Sequence, residues 1–281
     1  MSGLMDVVYN LAQTVALWPK TNKDPTPGPV KLHVFDKPAS SPYLSYYCQK
    51  TETYLRATGT QYNLASAMPH SAPRSQLPYV TLPSGEDLSD SQLIIKRLSA
   101  DNSRDCNLDK HLKPAQLAQS RAIIADVDQC IFPTLVWHRA SEPANWDELY
   151  KEVFVAQLPW GLRDLAAAYQ KRVYRTTAWY NGIGRHTPEE IRDILREWVE
   201  GIAELLKSHK DHPQRYIMGL AEPTLADVAI YALLVSALGT LSNGFVQEEI
   251  LTRDVLRGYV KHLTERWFPE YEEVLCIVAT V

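Results

Sequence analysis

The chain has 281 residues, 45% of them apolar and 22% charged, and its formal net charge is −4. That length fits about two domains, and the apolar share is enough to fill a core; general disorder and an electrostatic grip on nucleic acid are both excluded. Four widely spaced cysteines (Cys48, Cys106, Cys130 and Cys276) form no CxxC pair, which favours reduced thiols in a cytosolic compartment.

Residues 1–18 place Leu4, Val8, Leu11, Val15 and Trp18 at helical spacing on one face. No basic region precedes them, so a signal peptide is not expected, and Asp6, Asn10 and Gln13 argue against a membrane span. A helix docked on the body is the plain reading. A weak membrane or partner anchor is the sharper one, but its polar face lacks the usual Lys and Arg. Residues 19–29, PKTNKDPTPGP, form a proline-rich extended connector. A strand follows at Val30–Phe35, then a loop. Next comes a helix over SYYCQKTETYLRATG, with Tyr47, Thr51, Tyr54 and Leu55 inward and Gly59 as its stop. QYNLAS is a second strand. Residues 67–76 hold two prolines and no periodicity, hence a loop. Strands at Tyr79–Leu82 and near Asp87–Leu88 are joined by PSGE, and a helix runs from Asp90 to Leu98.

Residues 100–114 are polar and irregular, a linker. Beyond them the pattern is helical throughout. One helix is predicted from Ala115 to His138, another over Trp146–Val155 and a long one from Leu162 to Tyr180. Thr187-Pro188-Glu189-Glu190 is a strong helix start, with an N-cap threonine, a first-turn proline and an acid at the third position. Thr224-Leu225-Ala226-Asp227 is a second capping box, opening a helix so apolar that it must be buried on most sides. A last helix is expected around Val255–Arg266, with a tail to Val281. No internal repeat, metal-ligand spacing or phosphate-cradling loop is present.

The segment Ser75–Leu98 carries the most chemistry. Leu77-Pro78 stands before a strand, where proline suits a strand start or a cis bond. Asp90-Ser91 opens a helix, bringing a hydroxyl, free N–H groups and the positive end of the dipole to one point. This segment resembles the glutathione-binding half of the thioredoxin-like domain of glutathione transferases. Further motifs resemble the failed-axon-connections/metaxin-like branch of that superfamily. PYLSYYCQK matches its Pro-x-Leu-Ser-Pro-Phe-Cys-x-Lys pattern at Pro42, Leu44, Ser45, Cys48 and Lys50. GIGRHTPEEI (Gly182–Ile191), EPTLADVAIYALL and RWFPEY match as well. The likeness spans most of residues 30–275.

The resemblance implies a two-domain glutathione transferase fold. A thioredoxin-like α/β domain would occupy 30–99, the linker 100–114 and an all-helical domain 115–281, behind an N-terminal helix and connector at 1–29. It implies glutathione as co-substrate, a small electrophile as partner, a homodimer, and no bound metal. Ser45, at the start of the first helix, is the candidate catalytic donor to the glutathione thiolate; the plainer reading is an N-cap serine. Tyr46 replaces the usual proline and is either a second donor or a packing residue. Cys48 reads as a buried core thiol, since a serine at 45 breaks the CxxC redox pair; a thiol-transferring role is the alternative.

On the same resemblance, Asp90 and Ser91 would hold the γ-glutamyl end, and Leu77 would pair its backbone with the cysteinyl unit beside a cis Pro78. Gln76 would face the glycyl end, where relatives often carry lysine. Trp137 and His138 fall where transferases line the electrophile pocket. Arg163, Lys171, Arg172, Arg175 and Arg185, with tyrosines between them, read as a solvated basic face or as an anion or partner surface. The expected function is cytoplasmic glutathione transfer. The alternative is a metaxin-like, non-catalytic scaffold, peripheral at an intracellular membrane such as the mitochondrial surface.

Overall fold

The computed structural model describes residues 28–101, 105–141, 146, 160–209, 216–239 and 244–280. Strand β1 (Val30–Val34) buries Val30, Leu32 and Val34 on one face, as its period-two alternation requires. It pairs in parallel with β2 (Tyr62–Ser66) and antiparallel with β3 (Tyr79–Thr81), which pairs antiparallel with β4 (Asp87–Ser89). The sheet order is β2-β1-β3-β4. The parallel β1–β2 step needs a crossover, and helix α1 (Tyr46–Ala57) supplies it. Gly59, at φ 65°, stops that helix in a conformation that glycine adopts without strain. The 67–76 loop holds one short 3-10 turn, Pro69–Ser71. Helix α2 (Ser91–Ser99) follows β4 and packs on α1 and β3.

The single helix predicted over 115–138 proves to be a continuous helical run of three parts. These are α3 (Pro114–Asp126), a π turn (Val127–Ile131) and α4 (Phe132–Ser141). The π turn holds one residue more than an α turn, so it shifts the face that α4 presents. Helix α5 (Trp160–Tyr180) is amphipathic at best, leaving Leu165, Tyr169, Trp179 and Tyr180 exposed. Helix α6 (Pro188–Ser208) begins at the predicted box, where Thr187 N–H donates to Glu190 at 2.8 Å and Glu190 N–H donates to the Thr187 hydroxyl at 3.3 Å.

Helix α7 (Leu225–Leu238) is the central pillar, with every side chain from Ala226 to Leu238 buried. Its Asp227 carboxylate accepts from Thr224 N–H and Ile217 N–H, and from the Thr224 and Tyr259 hydroxyls. Helices α8 (Gly244–Leu251), α9 (Asp254–Trp267) and α10 (Glu272–Ala279) close the bundle. No separate helix was expected at α8 or at α10, which falls in the tail to Val281. The amphipathic segment 1–18 lies outside the described residues, as does all but Trp146 of the pattern predicted over 146–155. Among the described residues no helix is long and apolar enough to cross a membrane, and no group of His, Cys, Asp or Glu converges to hold a metal ion.

Candidate functional site

Helix α1 lies between the sheet and the helical bundle, with α7 as its main partner. Ser45 is its N-cap, half-buried, with φ −80° and ψ 108°. Its Oγ accepts a long contact, 3.5 Å, from Cys48 N–H. A hydroxyl has one proton to give and two lone pairs, so this contact does not use the Ser45 proton, which also meets the Cys48 side chain. The first-turn N–H groups of α1 lack intrahelical acceptors, and the dipole adds partial positive charge at the same point.

Tyr46 does not share this position. It is fully buried, and its hydroxyl donates to Asp128 Oδ1 at 2.7 Å. Burial first, and then the Asp128 charge, hold its phenol well above the ordinary range. It is therefore a packing residue turned to the interior. Cys48 is also fully buried, and burial pushes its thiol up to about 12 against the opposing contacts from Ser45 and Phe35. A thiol of that kind is no nucleophile at neutral pH.

Asp128 sits on the π turn and organises the start of α1. Lys50 Nζ lies 2.7 Å from each of its carboxylate oxygens, and the two side chains are 3% and 1% exposed. The Gln92 amide from α2 donates to the same carboxylate, and the Tyr47 hydroxyl donates to the Asp128 carbonyl at 3.1 Å. Burial draws Lys50 below the ordinary lysine range, with the Asp128 charge opposing it. One carboxylate thus ties α1, α2 and the α3–α4 run together at the first turns of α1.

The Leu77-Pro78 bond is cis. Leu77 is 9% exposed, and its N–H and C=O make no hydrogen bond among the described residues. Asp90 adopts φ 79° and ψ 120°, rare for a non-glycine residue and costing about 1–3 kcal/mol. Its Oδ1 caps α2 through Gln92 N–H at 2.9 Å and Leu93 N–H at 3.1 Å. Ser91 is buried, and its hydroxyl has no partner among the described residues. Gln76 is exposed.

A cleft of about 1180 Å³ opens at Ser45. Phe35, Leu44 and Tyr47 line its sheet side, and Phe132, Val136 and Trp137 come from α4. Of the two residues predicted for this pocket, Trp137 is there. His138 is not: it is 4% exposed and turned to the edge of Phe245, ring centres 6.0 Å apart. Successive helical residues point about 100° apart, and here the turn carries His138 past the cleft to the face that packs on Phe245. The far wall is α5, which contributes Lys171, Arg172 and Arg175. Gly184 fits tightly against the last turn of α5, where an added Cβ would come within 2.8 Å of the Trp179 nitrogen. The motif beginning at Gly182 thus includes a close-packed return of the chain.

Tyr47 and Arg139 also line the cleft, although nothing in their sequence context singled them out. Arg139 is buried and fixes the loop before α1 by donating to the Leu44 carbonyl at 3.1 Å. It also donates to the Ser236 carbonyl on α7 at 3.0 Å.

Residues 46–145 match the glutathione S-transferase N-terminal domain family. Among curated proteins, the chain is 29% identical over 258 residues to "Failed axon connections" of Drosophila melanogaster, covering 87% of this chain and 59% of that protein's length. Among solved structures, it aligns with a glutathione S-transferase from Rhodospirillum rubrum at TM-score 0.56 and 15% identity, over 88% of this chain and 91% of the other. FzlA from C. crescentus aligns at TM-score 0.52 and 16% identity, over 89% and 92%. The beta-etherase LigF from Sphingobium aligns at TM-score 0.53 and 18% identity, over 87% and 98%. At such identities these likenesses establish the two-part fold: a small mixed sheet followed by a mostly helical region.

Proposed function

We propose, from its likeness to the glutathione S-transferase N-terminal domain family and to Failed axon connections, that the chain is a member of the glutathione S-transferase superfamily, that it binds glutathione and that it transfers it to a small electrophile. The observation that carries this reading is Ser45: a half-buried hydroxyl at a helix N-terminus, on the wall of a large cleft. The tripeptide would lie along Leu77, whose idle N–H and C=O can form an antiparallel pair with its cysteinyl unit. Its γ-glutamyl carboxylate would take the Ser91 hydroxyl and N–H. Asp90, held by its strained backbone, would offer its second carboxylate oxygen to the amine.

The chemistry follows from that pose. A free thiol titrates near about 8.5, and a helix N-terminus lowers this to roughly 3.5–7.5. The glutathione thiol would release its proton to water, and the Ser45 hydroxyl would donate to the resulting thiolate. The sulfur lone pair then forms a C–S bond to the electrophilic carbon. The leaving group departs with its bonding pair; on an activated double bond, the adjacent carbon instead takes a proton from water. Holding both reactants in one cleft supplies the rest of the rate gain. The same site chemistry extends to glutathione-dependent isomerisation or reduction. A cytosolic location and a two-fold dimer complete the reading, and light scattering checks the latter.

A non-catalytic scaffold is the second reading. It is favoured by Gln76, an exposed neutral amide where a cation would complement the glycyl carboxylate. Titration calorimetry with glutathione separates the two, using wild type, Ser45→Ala and Ser91→Ala. The transferase reading expects micromolar to low-millimolar binding, lost in Ser91→Ala, with thiol proton release at pH 7 lost in Ser45→Ala. Absence of binding at several millimolar leaves the scaffold as the account.

A further inference from the structure

The apolar surface that the fold leaves uncovered is concentrated on one helix. Among the described residues eight large apolar side chains are exposed, and five of them belong to α5: Leu165, Tyr169, Val173, Trp179 and Tyr180. Leu165, Tyr169 and Tyr180 are 70%, 61% and 79% exposed. Leu165, Tyr169, Val173, the exposed Thr176 and Tyr180 recur at i, i+4, i+8, i+11 and i+15, so they form one stripe about 22 Å long. The opposite face of α5 holds the buried Ala167 and the half-buried Tyr174 and Ala178. A contiguous apolar patch of this kind marks a place where something docks.

The charges beside the stripe select the partner. Helix α5 carries Arg163, Lys171, Arg172 and Arg175 against one acid, Asp164, in a chain whose net charge is −4. Arg172 lies within the stripe and Arg175 on its flank, both exposed. At the C-terminal end the Arg185 guanidinium sits 5.3 Å from the centre of the Trp179 ring. A second copy of the chain fits this surface poorly. The middle of the stripe falls at Arg172 and Val173, so pairing it with itself about a two-fold axis sets Arg172 of one copy against the same residue of the other. No carboxylate on the stripe balances them, and like charges face to face are destabilising. Another polypeptide must supply a groove shaped to this ridge, whereas a layer of lipid headgroups accepts any ridge. Exposed Leu, Trp and Tyr edged by arginine are the side chains that settle between acyl chains and anionic headgroups.

We infer that the exposed stripe of α5 is a docking surface for an anionic phospholipid membrane. Leu165, Tyr169 and Tyr180 enter the interfacial layer, and Arg172 and Arg175 meet the headgroup phosphates. The helix lies in the plane of the surface; no described helix is long and apolar enough to cross it. The inference is independent of what the cleft binds.

Flotation of the full chain with vesicles tests it. One set is phosphatidylcholine alone, and the other contains about a third phosphatidylserine. Wild type is expected to partition about tenfold or more in favour of the anionic set at low salt, and about 0.5 M salt should remove most of that preference by screening. Arg172→Gln with Arg175→Gln is expected to lose about tenfold on the anionic vesicles. Leu165→Gln with Tyr169→Gln leaves every charge in place and is expected to lose about tenfold as well, through the apolar area it no longer buries. All four side chains are exposed, so the fold should persist, which circular dichroism melting checks. Lys207→Gln with Lys261→Gln removes the same charge elsewhere and is expected to change partitioning by less than about twofold.

Wild type that ignores both vesicle sets, or floats equally with each, overturns the inference. So does flotation that survives both α5 variants, which would put the contact elsewhere on the chain, or an equal loss in the lysine variant, which would reduce it to overall charge. Light scattering on the same proteins addresses the rival occupant. If Leu165→Gln with Tyr169→Gln splits a dimer, a second copy covers the stripe and the inference is overturned. Lost flotation at unchanged mass supports it.

Discussion

Removing Asp128 should unfasten the start of helix α1, and the size of the effect follows from what the carboxylate holds. Lys50 Nζ lies 2.7 Å from both oxygens with the pair almost wholly out of water. Asp128→Leu would leave a buried ammonium with no counter-charge, a change that costs about 3–5 kcal/mol in other proteins. The Tyr46 hydroxyl and Gln92 amide lose their acceptor as well, at about 1 kcal/mol each. Against a total stability of about 5–15 kcal/mol, Asp128→Leu should be severely destabilised, with Tm down by about 10 °C or more. Lys50→Met should cost less, since the carboxylate keeps its Tyr46 and Gln92 donors. The double variant Lys50→Met/Asp128→Leu should recover most of the loss, because an apolar pair in place of a buried ion pair is often neutral. Urea unfolding followed by circular dichroism, with calorimetric Tm for all four proteins, gives the coupling energy directly. Simple additivity of the two single changes would refute the reasoning, as would an Asp128→Leu cost below about 1 kcal/mol.

The Cys48 thiol is pushed up to about 12 from an ordinary 9.0, so above pH 9 the unfolded chain sheds that proton before the native one does. Its stabilisation is complete below pH 9 and fades as pH climbs towards 12, by about 1.4 kcal/mol per unit. Urea midpoints at pH 8, 9 and 10 should therefore fall more steeply in wild type than in Cys48→Ala; parallel slopes would remove the group from the account. Gly239→Ala would push a Cβ to 2.1 Å from the Pro42 Cγ, at the meeting of α7 with the loop that carries Ser45. A loss of about 1–3 kcal/mol is expected, with weaker glutathione binding, and a Tm within 1 °C of wild type would contradict it. Thr187→Ala removes the α6 cap and should cost about 0.5–2 kcal/mol by chemical denaturation, whereas Thr187→Ser should restore most of it.

The elements most legible in the sequence were those whose signals are local. The two capping boxes, the alternation of β1, the Gly59 stop and the apolar run of α7 each announce themselves within a few residues, and each stands as read. Ser45, Asp90 and Ser91 were placed at helix starts for the same reason. The burial of Gln49, Lys50 and Glu52 was not legible. A polar residue on a helix reads as solvent-facing unless a partner is known, and two of these have partners far along the chain: Asp128 for Lys50, and Tyr271 for Gln49. The cleft was legible only in parts, since its walls come from α1, α4 and α5. Trp137 and His138 looked equivalent in sequence, and only the helical phase set by the π turn distinguishes them.

That π turn has a consequence for how the chain tolerates changes in length. Between Val127 and Ile131 the backbone carries one residue beyond the α repeat, seen where Phe132 N–H reaches back to the Val127 carbonyl. Deleting any one residue of this stretch would let α3 and α4 merge into an ordinary helix, free of the weaker turn. The rotation of about 100° that a lost residue imposes is cancelled by the loss of the wide turn, so the Phe132 N–H still meets the Val127 carbonyl and Trp137 keeps its place on the cleft. The turn is thus a point where the chain can give up a residue other than Asp128 without moving the pocket, whereas a deletion further along α4 must shift every residue between it and the turn. Single-codon deletions scanned across 120–140 should map this register dependence as a narrow island of tolerance at the turn, broken at Asp128.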